Sequence, residues 1–135
     1  MTRVRLAIGG AAVVVIAVGI LAVVAWNGGG DATSPAADTH AGLCEAMEVA
    51  RNDDVEAARA AFYDRSHDGL HELAADANEV DPAAAAGLLE AKFRVEAMLD
   101  ESPDPAELTA ALDTLADATA GAAEVVGEGD VNGCG

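Results

Sequence analysis

The chain has 135 residues, 24 of them acidic against seven Lys or Arg, and a net charge of −17. A field of that sign repels phosphate backbones and anionic headgroups, which excludes nucleic acid as a partner. Aromatic residues make up only 3% of the chain, so a helical core would have to be built from leucine, valine and alanine.

Residues 6–26 form an uncharged apolar run of 21 residues, long enough at about 1.5 Å per residue to cross a hydrocarbon core of about 30 Å. Arg3 and Arg5 precede the run and no acidic residue does, which orients residues 1–5 toward the cytoplasm, and Trp26 falls where interfacial aromatics sit. The expectation is a single-pass signal-anchor with everything after it outside the cytoplasm. The competing reading is a cleaved signal peptide ending near Val23-Val24-Ala25, which would make the remainder a secreted domain; secretory apolar segments are shorter, about 7–15 residues. Five cytoplasmic residues are too few to form a domain, so function is expected outside or through a neighbouring membrane protein.

All 24 acidic residues follow Gly30, opposed only by Arg51, Arg59, Arg65, Lys92 and Arg94, so the exterior part carries −19. Residues 27–38 (NGGGDATSPAAD) read as a flexible tether. Residues 39–135 read as an all-α, antiparallel up-down bundle of four helices, the first short. The first spans residues 39–51 with Leu43, Met47 and Ala50 on one face. Asn52-Asp53-Asp54 breaks it, and Asp53 with Glu56 makes a capping-box pattern. The second is expected to run to Val80, burying Val55, Phe62, Leu73, Ala77 and Val80. Asp81-Pro82 starts the third, lined by Leu88, Val95 and Leu99, and Asp104-Pro105 starts the fourth, lined by Leu108, Leu112, Leu115, Thr119, Ala122 and Val126. Gly127, Gly129 and Gly133 end it. Lys92 and Glu96, four apart beside the apolar face, read as a boundary ion pair with the lysine stem packed on the core.

Cys44 and Cys134 both lie on the outer side. In an oxidising compartment such a pair reads as a disulfide, and an up-down topology brings the start of the first helix and the end of the last to the same end. A metal-ligand role for the two thiols has less behind it, because there is no CxxC.

One constellation carries chemistry. His67 and His71, four apart, project from one side of a helix, and Asp64 shares that side. Counted from the turn at residues 52–54, His40 reaches a similar height across the helix pair. Asp64, His67, His71 and His40 thus form a candidate site for a divalent transition metal such as zinc, copper or nickel; the bland reading is exposed polar histidines on an acidic helix. Ser66-His67-Asp68 has the residue types of a catalytic triad, but consecutive helical positions diverge by about 100°. The expected function is a membrane-anchored, extracytoplasmic, non-enzymatic binding or accessory module with a protein partner in or at the membrane. The alternative is a purely protein-binding scaffold without metal.

Overall fold

The computed structural model describes residues 33–129, 131, 133 and 134. The segments expected as anchor (residues 6–26) and cytoplasmic N-terminus (residues 1–5), and most of the expected tether, lie outside the described residues. Among the described residues no helix is long and apolar enough to cross a membrane, and there is no strand.

Among the described residues five helices follow one another: α1 (Pro35–Arg51), α2 (Val55–Arg65), α3 (His67–Val80), α4 (Pro82–Asp100) and α5 (Pro105–Val126). The all-α fold class is as expected, with two corrections to the helix pattern. First, α1 is not short. Ser34 Oγ accepts from Ala37 N and Pro35 stands in the first turn, so a cap and a pre-set φ extend the helix into residues read as tether. Second, the segment expected as one helix to Val80 is divided at Ser66.

The division has a steric cause. Ser66 Oγ donates to the Thr39 carbonyl at 3.0 Å, and Ser66 is itself buried. A Cβ on Gly69 would collide with Thr39 Oγ1, and one on Gly42 would meet Ser66 Oγ and lie 2.7 Å from Arg65 Cβ. The backbones of α1 and the α2–α3 junction therefore approach more closely than side chains normally allow. Ser66 leaves helical geometry at φ −123° to fit that approach.

The turn before α2 also differs from the capping-box expectation. Asp53 takes a left-handed φ of 63°, and Asp54 provides the cap, accepting from Ala57 N at 2.9 Å. Asp81 and Asp104 cap α4 and α5 as expected, each accepting from two amides of the following turn with proline at the first position. Gly127, at φ 76°, ends α5, and Glu128 N donates back to Ala123 O in the six-to-one bond of a glycine-terminated helix.

Cross-helix pairs show that the α2–α3 segment runs opposite to both α1 and α4. Glu45 meets Arg65 while Thr39 meets Ser66; Arg59 meets Asp100 while His67 meets Glu96. The core joins Leu43 and Met47 of α1, Phe62 of α2, Leu70 of α3, Leu88, Val95 and Leu99 of α4, and Leu108, Leu112 and Leu115 of α5, all essentially inaccessible. Each such side chain contributes about 1.5–3 kcal/mol by leaving water. Buried alanines at 46, 50, 77, 122 and 123 fill the rest. Val55 is only half-buried, and Val80, expected in the buried stripe, is 65% exposed, because the chain leaves the bundle there to enter the Asp81 cap.

Candidate functional site

The three histidines of the expected site are divided between two neighbourhoods. On the outer side of α1, the tail after α5 folds back along the helix. Glu128 Oε2 accepts from Ala36 N at 2.8 Å, placing a carboxylate at the positive end of α1. Farther along, Cys44 and Cys134 form a disulfide with Cα atoms 5.2 Å apart, closing a separation of 90 residues. The expected disulfide is therefore present.

His40 belongs to this side. It lies one turn before Cys44 on α1, is 4% exposed, and its Nδ1 stands 3.5 Å from Cys44 Sγ. Its Nε2 is buried without a hydrogen-bond partner, an arrangement that costs about 1–3 kcal/mol. Burial lowers the pKa of His40 below the ordinary imidazole value, with the Asp117 carboxylate pulling weakly the other way, so the neutral ring prevails at neutral pH. Among the described residues, His40, Cys44 and Cys134 are the His/Cys/Asp/Glu group whose ligand atoms all lie within 4.8 Å of one another. They open onto a groove of about 730 Å³, also lined by Glu45, Glu48 and Val131. With the disulfide formed, neither sulfur is a thiolate, and thiolate is the form that ligates metal.

His67 and His71 lie on α3, with ring centroids 4.9 Å apart and edge to face. His67 is half-buried, and both its nitrogens face carboxylates: Nδ1 is 3.1 Å from Asp68 Oδ1 and Nε2 is 3.0 Å from Glu96 Oε1. The same Glu96 oxygen accepts from Lys92 Nζ at 2.6 Å. Lys92 is 1% exposed, its stem packed in the core and its ammonium 5.2 Å from the Phe93 ring centroid. The expected Lys92–Glu96 pair is thus present, with His67 added to it. The Tyr63 ring lies tilted beside His67, with centroids 5.3 Å apart; burial, then Glu96 and Asp100, raises its pKa.

The structure brings His67 and His71 together, and it turns His40 to Cys44 instead. Asp64 is exposed and makes no side-chain hydrogen bond or ion pair among the described residues. A metal ion on His67 would have to displace Asp68 or Glu96 as the side chains stand. Two features escape a local reading of the sequence. The His40–Cys44 spacing of four, which puts both side chains on one face, was available as a signal. So was the register of the α3–α4 pair, since His67 and Glu96 are almost equidistant from Asp81.

Comparison with protein-family models, with curated proteins and with solved structures finds no match to this chain. The reading of function rests on the chemistry of these two neighbourhoods.

Proposed function

We propose that this chain is a non-enzymatic binding or accessory module working outside the cytoplasm, held at a membrane by residues 6–26 and serving a protein partner in or at that membrane. The observation that supports this most is the Cys44–Cys134 bond, because such cross-links persist in oxidising compartments and are rare in reducing ones. The basic flank of the apolar run, Arg3 and Arg5, favours the same orientation.

The test is to express the full chain in a bacterial host and follow three readouts together. The chain should fractionate with the membrane, its folded part should be cut by protease added to the outer side of the membrane, and its thiols should react with maleimide only after reduction. Free thiols in the unreduced, denatured chain, or protection from the external protease, would overturn the reading.

A second reading within the same module is a divalent transition-metal site on His67 and His71, with Asp64 on the same side. The 4.9 Å ring spacing favours it; the carboxylates already engaging His67 weigh against it. Calorimetry of the oxidised full chain in detergent with zinc, copper(II) and nickel tests it. One-to-one binding abolished in His67→Ala/His71→Ala supports the site. Weak binding indifferent to that variant leaves a tethered protein-binding scaffold.

A further inference from the structure

Three soft or borderline ligands meet on the outer side of α1, and in the oxidised protein one of them has nothing to do. His40 is buried, yet its Nε2 has no hydrogen-bond partner and its Nδ1 faces only sulfur. The two sulfurs beside it are bonded to each other. We propose that His40, Cys44 and Cys134 form a redox-gated site for a thiophilic cation, zinc foremost, closed while the disulfide stands and opened by its reduction.

The placement suits the chemistry. His40 and Cys44 leave the same face of α1 one turn apart, so the helix fixes two ligands rigidly. Cys134 comes from the segment beyond α5, next to Gly133, where no helical hydrogen bonds hold the chain. Tetrahedral zinc with Zn–S bonds of about 2.3 Å needs its sulfurs roughly 3.8 Å apart. Reduction frees Cys134 to retreat by that small amount without disturbing α1. Glu48, one turn beyond Cys44, lines the same groove, and its carboxylate or a water would complete four-coordination. Glu45 is engaged by Arg65 at 2.9 Å, which leaves Glu48 as the carboxylate free to turn inward.

The redox step balances with a dithiol reductant of the thioredoxin type. One of its thiolates attacks a sulfur of the pair, the Sγ–Sγ bond breaks, and a mixed disulfide forms. Its second thiolate displaces the cysteine, so two electrons pass to Cys44 and Cys134 and the reductant leaves as a disulfide. Zinc then binds the two thiolates, and their two protons go to solvent. The ion takes over the cross-link that the disulfide had supplied, keeping the tail on α1 in either state. The inference stands apart from the membrane-tethered reading, which its failure would leave untouched.

The experiment titrates zinc against a chromophoric chelator into the full chain in detergent, oxidised and reduced with a phosphine. Cobalt(II) is used in parallel as a spectroscopic probe. The reduced chain should bind one zinc and show the thiolate-to-cobalt charge-transfer band, and the oxidised chain should show no such band. His40→Gln should weaken zinc binding at least tenfold, and Cys134→Ser should remove most of the charge-transfer intensity. His67→Ala/His71→Ala should leave both readouts unchanged, which separates this site from the histidine pair on α3. A reduced chain without stoichiometric zinc binding, or one whose binding survives both His40→Gln and Cys134→Ser, would overturn the proposal. Helical circular dichroism of each variant at the titration temperature shows that a loss of binding is not a loss of fold.

Discussion

The two histidine neighbourhoods are held by opposite means. His40 sits against sulfur with no hydrogen-bonded charge partner, in a geometry set by a covalent bond between α1 and the tail. His67 sits among charges: Asp68 and Glu96 face its two nitrogens, and Lys92 lies behind Glu96. The first arrangement answers to redox potential and the second to salt and charge substitutions. A small bundle with few large aromatics has used a cross-link where the tail must be held and a charge network where two full helices already pack.

The largest difference between the two sides should appear when the cross-link is removed. Cys44→Ser/Cys134→Ser is expected to lose about 4–5 kcal/mol, the loop-closure contribution of a loop of this length. Urea unfolding of the oxidised chain and the variant measures it, and a loss below about 1 kcal/mol would mean that the tail is held without the bond. On the other side, Lys92→Ala is expected to cost about 2–3 kcal/mol, because it empties the space of a buried stem and strips Glu96 of its ammonium. Lys92→Met/Glu96→Gln should cost less than about 1 kcal/mol, since a buried pair replaced by neutral groups of similar shape is often nearly neutral. If the two variants lose equal stability, charge rather than packing governs that side.

Smaller effects sharpen the contrast. Ser66→Ala removes the bond to the Thr39 carbonyl and should cost about 1 kcal/mol, seen as a lower thermal midpoint. No change would mean that the close approach at Gly42 and Gly69 alone divides α2 from α3. The smallest effect is the pH dependence of His40. Its folded pKa lies below the unfolded value of 6.5, so the unfolded chain takes up the proton first as pH falls. Stability is then fully present above pH 6.5 and is lost progressively as pH falls through the depressed folded value. Because this acidic chain also loses self-repulsion on acidification, the observable is the difference between the protein and His40→Gln. The variant's stability should decline less between pH 7 and 5.

The helix starts at Asp81-Pro82 and Asp104-Pro105 were legible because aspartate followed by proline serves both cap and φ in two residues. The buried faces of α4 and α5 were legible because leucine and valine recur there at helical spacing. The Cys44–Cys134 bond followed from chain reversal and compartment. The division at Ser66 was not legible, since Phe62, Leu73 and Ala77 keep helical phase across it, and its cause is a contact with Thr39 on another helix. His40 was misplaced for the same reason. Counting residues from a turn gives its height along the bundle but not which side of α1 its ring takes. The spacing to Cys44 carries that information.

The securing of α1 by residues far downstream has a consequence in the order of synthesis. Glu128, which caps its start, and Cys134, which closes its middle, follow their partners by 92 and 90 positions. At about 5–20 residues per second, roughly 5–18 s separate the making of Cys44 from the making of its partner. Through that interval the first helix carries an open thiol and lacks its downstream carboxylate cap. The covalent closure of α1 can therefore begin only once Cys134 has been made, 90 positions after its partner.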